Sequence, residues 1–139
     1  MRLPRALEEG RLRLWWQPIA PLSAHEQAGR HCELLLRLED ETGRLVLPGT
    51  FLPAAERYYL TTRLDRWVFS TALQWLARHP DQLQHLSLCT INLSGHSLSE
   101  KAFLEFVLEQ LETTGIPAEK ICCNYLPPAK SAILTSCLS

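Results

Sequence analysis

A chain of 139 residues, 46% hydrophobic and 21% charged, is long enough for one domain with a real core and too short for two. Its 14 Lys and Arg nearly balance 15 Asp and Glu, so no basic field suits a nucleic-acid polymer and no polybasic cluster suits a membrane surface. No stretch has the length of a membrane span, and the start, Met1 to Arg5 running into Glu8-Glu9, has no secretory apolar region, so a cytoplasmic protein is expected.

Ala6 to Glu9 read as the end of a short helix closed by Gly10. Arg11 to Ile19 alternate (Leu12, Leu14, Trp16) as a strand that stops at Pro18 and leaves Gln17 at its end. Pro21 to Arg30 is a polar loop. His31 to Leu38 is a second strand, in which Glu33, Leu35 and Arg37 share one face and Cys32, Leu34, Leu36 and Leu38 the other. The apolar face suits packing under helices. The charged face has two readings: the wet side of an antiparallel strand, or the interior of a closed sheet. There, unpaired charge is costly unless a metal or an anionic ligand compensates it. Spacing alone favours the first. Thr42-Gly43 then marks a turn.

From Thr50 the pattern turns helical, with Pro53 tolerated in the first turn. Leu64, Trp67, Val68, Ala72, Trp75 and Leu76 recur at three- and four-residue spacing, which predicts one buried stripe ended by His79-Pro80. Leu86 to Leu93 is nearly continuous in apolar residues, as expected of a strand covered on both faces, and Asn92-Leu93-Ser94-Gly95 closes it. Ser97 and Glu100 have the spacing of a capping box. The helix it opens should bury Leu104, Val107, Leu108 and Leu111 and end at Gly115 and Pro117. Lys120 to Cys123 begins a fourth strand. Strands alternating with single helices predict β-α-β units and a parallel sheet. Beyond Cys123, Pro127-Pro128 breaks the pattern, and Asn124 to Ser139 shows neither strand alternation nor helical period. The five cysteines include no Cys-x-x-Cys pair and read as buried thiols of a reduced compartment, with zinc not expected.

Five motifs in order resemble the EAL domain, a family that hydrolyses the bacterial messenger cyclic di-GMP. They are Trp15-Trp16-Gln17-Pro18-Ile19, Glu33-Leu34-Leu35-Leu36-Arg37, Pro48 to Glu56, Arg66-Trp67-Val68 and Ile91-Asn92-Leu93-Ser94, within Arg11 to Cys122. The resemblance implies an α/β fold, the N-terminal portion of a modified (β/α)8 barrel, with its site at the C-terminal ends of the strands. It implies two Mg²⁺ or Mn²⁺ ions that activate water for in-line attack on a phosphodiester, giving the linear dinucleotide. By the same resemblance Glu33 and Asn92 are metal ligands, although the motif's alanine is Leu34 here. Arg37 contacts a ligand phosphate, and Gln17, Leu35 and Asp65 fall on ligand-contacting positions. Cyclic di-GMP is the implied partner, and family members often dimerise. The residues themselves keep plainer readings open: Arg37 as a surface charge, Asp65 as a helix residue paired with a neighbouring arginine, Asn92 as a turn former.

Departures from the family pattern carry equal weight. Where the family has Glu-Ile-Thr-Glu after its fourth strand, this sequence has Cys123-Asn124-Tyr125-Leu126-Pro127, so Asn124 stands in place of a metal-binding glutamate. The paired aspartates, the lysine and the later glutamate and glutamine of the family pattern are not among the 139 residues. The expectation is a truncated EAL domain over residues 1–123 and an unrelated tail over 124–139, whose codons would be out of frame from about Cys122 and Cys123. Such a chain would be inactive, because removing members of a cooperating catalytic set loses most of the rate. A degenerate cyclic di-GMP receptor and a non-functional interaction fragment are the other two readings.

Overall fold

A computed structural model describes residues 10–19, 30–46, 60–126 and 134–137. The helix end at Ala6 to Glu9, most of the loop after Pro21, the Pro48 to Glu56 motif and the helix start at Thr50 lie outside the described residues. The strands are β1 (Leu12–Ile19), β2 (Arg30–Glu39), β3 (Leu45–Val46), β4 (Leu86–Ser94), β5 (Ile121–Leu126) and β6 (Leu134–Cys137). The helices are α1 (Thr61–Arg78), α2 (Pro80–His85), α3 (Gly95–Leu98) and α4 (Lys101–Thr114), with a 3-10 turn at Ala118–Lys120 before β5.

One sheet runs in the order β1-β2-β4-β5-β6, with β3 paired to β2 off this path. Its centre, β2-β4-β5, is parallel, as the β-α-β reading predicts. Both flanks are antiparallel. Connection length explains the difference, since a parallel return needs a crossover of roughly a dozen residues or more. The stretches before β2 and before β6 are shorter than that, whereas α1 and α4 supply full crossovers inside the sheet. Strand β1 pairs with β2 along its whole length, Pro18 included, opposite Cys32. Proline is tolerated there because β1 lies at the sheet edge.

The apolar parity of the strands faces the helices. Leu34, Cys89, Ile91, Leu93, Ile121 and Cys123 are buried against Val68, Phe69, Ala72, Leu73 and Leu76 of α1 and Phe103, Val107 and Leu111 of α4. Trp16 of β1 packs on Trp75 of α1, ring centroids 4.8 Å apart, and the His79 ring stacks on Trp75 at 4.0 Å. Gly115 ends α4 with a φ of 74°, a left-handed conformation that glycine adopts without a steric penalty, and its N–H donates to Leu111 O.

Three expectations fail on named residues. Leu104 and Leu108 do not belong to the buried stripe of α4; they are 39% and 67% exposed. The stripe is Phe103, Val107 and Leu111, at strict four-residue steps, because the large Phe103 side chain takes the place under α1. Ser97 and Glu100 do not form a capping box: Glu100 is the N-cap residue of α4 without a side-chain bond, and Ser94 caps α3 by accepting from the Ser97 N–H. The Ser97 hydroxyl has a stronger, charged acceptor elsewhere. The stretch after Cys123, which shows no pattern in sequence, continues β5 to Leu126 and returns as β6. A short edge strand held by main-chain pairing needs little side-chain periodicity.

Candidate functional site

Side-chain alternation and register together define the sheet face turned away from the helices. Gln17 lies opposite Glu33, Glu33 is level with Thr90, and Thr90 is level with Cys122, which makes one row across four strands. One step further along, Trp15 lies opposite Leu35, and Asn92 is level with Asn124. A third row has Arg13 opposite Arg37. The readings that lined a sheet face with Glu33, Leu35 and Arg37 therefore hold geometrically, and Gln17 and Asn92 share that face.

Glu33 and Asn92 meet directly: Asn92 Nδ2 donates to Glu33 Oε1 at 3.0 Å and approaches Leu34 O at 3.3 Å. Both side chains are half-buried. Committing the amide nitrogen to this side turns Asn92 Oδ1 the other way. Next to it on β5, Asn124 Oδ1 is buried with no hydrogen-bond partner among the described residues. Such an orphan acceptor costs free energy unless something satisfies it. A carboxylate and two amide oxygens on three neighbouring strands are hard donors of the kind Mg²⁺ and Mn²⁺ prefer, so the donor chemistry fits a divalent cation. The charge is thin, however. Among the described residues no group of three or more His, Cys, Asp and Glu gathers to hold a metal.

Arg37 and Arg13 are like charges directly opposite each other, a destabilising pair unless they diverge. They do diverge. Arg13 turns to Gly10 O (2.8 Å) and Leu12 O (2.9 Å), with Glu39 at 3.6 Å. Arg37 donates to Leu36 O at 2.9 Å and holds its guanidinium 5.7 Å from the Trp15 ring centroid. A planar cation resting on an aromatic ring keeps donors available for an anionic oxygen. Trp15 itself is 48% exposed.

Asp65 lies apart from this row, on α1, and is buried. Its Oδ2 accepts from the Ser94 N–H (3.0 Å), the Ser94 hydroxyl (2.6 Å) and the Ser97 hydroxyl (2.5 Å). The sequence reading missed this network because a helix residue and a turn residue 29 positions apart carry no shared local signal. It also passed over His31 and Thr90. His31 Nε2 lies 3.0 Å from Thr90 Oγ1, on the Glu33 face, and the period-two parity that links His31 to Glu33 was the available clue. On the opposite face burial, with Cys32 and Cys123 nearby, pushes the Cys89 thiol up to about 12, which keeps it protonated and inert.

Residues 1–127 match the family described as the EAL domain. Cyclic di-GMP phosphodiesterase PdeB of Shewanella oneidensis is 36% identical over 122 residues, which cover 88% of this chain and 14% of the relative. Cyclic di-GMP phosphodiesterase PdeF of Escherichia coli is 32% identical across 73% of this chain and 13% of its own length. Among solved structures, the FimX EAL domain from Pseudomonas aeruginosa bound to c-di-GMP aligns with a TM-score of 0.76 and 30% identity, over 88% of this chain and 48% of that one. The chain thus spans about half of that solved EAL domain and about a seventh of the curated relatives.

Proposed function

The chain belongs to the EAL domain family, and on that premise we propose that the sheet face turned away from its helices is one wall of a cyclic di-GMP site that binds the dinucleotide without hydrolysing it. The observation that carries the reading is the Glu33–Asn92 hydrogen bond beside the orphan oxygen of Asn124, hard donors from two adjacent rows of one sheet face. Arg37, resting on Trp15, is the phosphate anchor. Leu35 lies next to it on the same face, Gln17 lies opposite Glu33 two rows away, and Asp65 joins the set through the turn it holds.

Glu33 and Asn92, with Asn124 as a neutral third donor, would hold Mg²⁺ or Mn²⁺. Such an ion, when bound, supplies a Lewis acid for a phosphodiester and a water of lowered pKa. This chain's own residues orient the donors: Glu33 fixes the Asn92 amide, and the Leu34 carbonyl steadies it from the strand. An amide in the Asn124 position leaves the cation one carboxylate short, which supports weak holding and no turnover by these 139 residues. The cytoplasm is the proposed setting and a dimer the proposed assembly.

The test incubates the chain with cyclic di-GMP and Mn²⁺ and separates products by chromatography. The linear dinucleotide should not rise above the level given by Glu33→Ala. Product well above that control would contradict the reading.

A further inference from the structure

We propose that Asp65 is a positioning residue for Asn92, acting through the turn that ends β4. The pairing of β4 with β2 stops at Ile91, level with Leu34. From Asn92 to Ser94 the strand is paired on its β5 side alone, to Asn124, Tyr125 and Leu126. A strand end held on one side frays unless something replaces the missing ladder. Asp65 replaces it. Its carboxylate takes the Ser94 N–H, the backbone donor two residues beyond Asn92, together with the hydroxyls of Ser94 and Ser97.

The chemistry of the network is directional. Each serine hydroxyl has one proton, and both are directed at Oδ2, while the Ser97 N–H donates back to Ser94 Oγ at 3.3 Å. Three donors converging on one oxygen call for an ionised carboxylate, which is acceptor-only. Ser97 is fully buried, and its hydroxyl donates to the Asp65 carboxylate. Between Asn92 and Ser94 stands only Leu93, itself buried in the core. The chain from the clamp to the Asn92 side chain is therefore short and packed, and the α1 helix fixes where the amide sits over Glu33.

This inference rests on the proposed cation site only for its consequence, not for the clamp itself, and two readouts separate the two. The first follows the Asn92 side-chain NH₂ of the full chain by NMR, whose protection reports its bond to Glu33. Ser97→Ala and Asp65→Asn should each speed its exchange by about tenfold, the size expected for losing or weakening a hydrogen bond to a charged group. Asp65→Ala should speed it further, and Ser97→Ala should add little on top of Asp65→Ala. The second titrates MnCl₂ alone and reads line broadening at Asn92. Affinity should fall in the same order, although Ser97 cannot touch the ion. Unchanged Asn92 protection in Ser97→Ala and Asp65→Asn would overturn the clamp, and so would fully additive losses. Loss of protection in a chain that binds no Mn²⁺ would uphold the clamp and reject the cation site. Should Asp65→Ala fail to fold, Ser97→Ala and Asp65→Asn still decide.

Discussion

The two faces of the sheet are made from alternate residues of the same strands, yet they follow opposite rules. Toward the helices, Leu34, Cys89, Ile91 and Cys123 are at most 2% exposed and close-packed against Phe69, Leu73 and Phe103. Toward the other side, Glu33, Asn92, Asn124 and Arg37 are half-buried around the buried Thr90 and Cys122, and among the described residues the Asn124 Oδ1 acceptor is unsatisfied. Packing stabilises the first face whatever the second one does. The second holds polar groups, among them the bonded pairs Glu33–Asn92 and His31–Thr90. Apolar packing and the proposed binding face are thus divided by side-chain parity, one residue apart.

The largest expected effect breaks the packed face. Phe69→Ala removes a fully buried ring beside Phe106 and should cost about 3–5 kcal/mol in denaturant unfolding. Glu33→Ala, on the other face, should cost about 1–2 kcal/mol, the scale of one partly buried hydrogen bond to a carboxylate. Similar losses from the two substitutions would erase the division.

Cys89 sharpens it. With its thiol raised from 9.0 to about 12 by burial, the folded chain binds that proton more tightly than the unfolded chain does. Its contribution is fully present below pH 9.0 and is lost as pH rises toward about 12. Cys89→Ala should flatten the fall of stability across that window, and native Cys89 should resist alkylation at neutral pH. Fast labelling of Cys89 in the folded chain would show that the packed face opens.

A smaller effect of opposite sign belongs to the face turned away from the helices. Asn124→Leu removes the orphan acceptor and should stabilise the chain by about 1 kcal/mol, seen as a higher denaturation midpoint. The same change should weaken Mn²⁺ binding, which would mark Asn124 as a residue kept at a cost to stability. A destabilised Asn124→Leu chain would mean that the oxygen already has a partner.

Much of this division is legible in the sequence where the signal is local and periodic. Parity alone assigns Glu33, Leu35 and Arg37 to one face of β2, and the apolar spacing places Leu64, Val68, Ala72 and Leu76 in the buried stripe of α1. The motifs name the EAL family, which the family match over residues 1–127 shows. What escapes is set by competition between distant groups. Ser97 has the spacing of a helix cap, but a carboxylate 32 residues away is the better acceptor. Leu104 and Leu108 satisfy helical periodicity, but Phe103 and Val107 fill the space. The antiparallel flanks depend on connection length, which periodicity does not encode.

The most direct test of the account is calorimetric titration of cyclic di-GMP into the chain and into Arg37→Ala, with Mn²⁺ present. The face turned away from the helices should bind the dinucleotide, and Arg37→Ala should weaken binding by about tenfold or more, the scale of a charge-assisted guanidinium–phosphate bond. Equal affinity in the two proteins, or no binding by either, would contradict it.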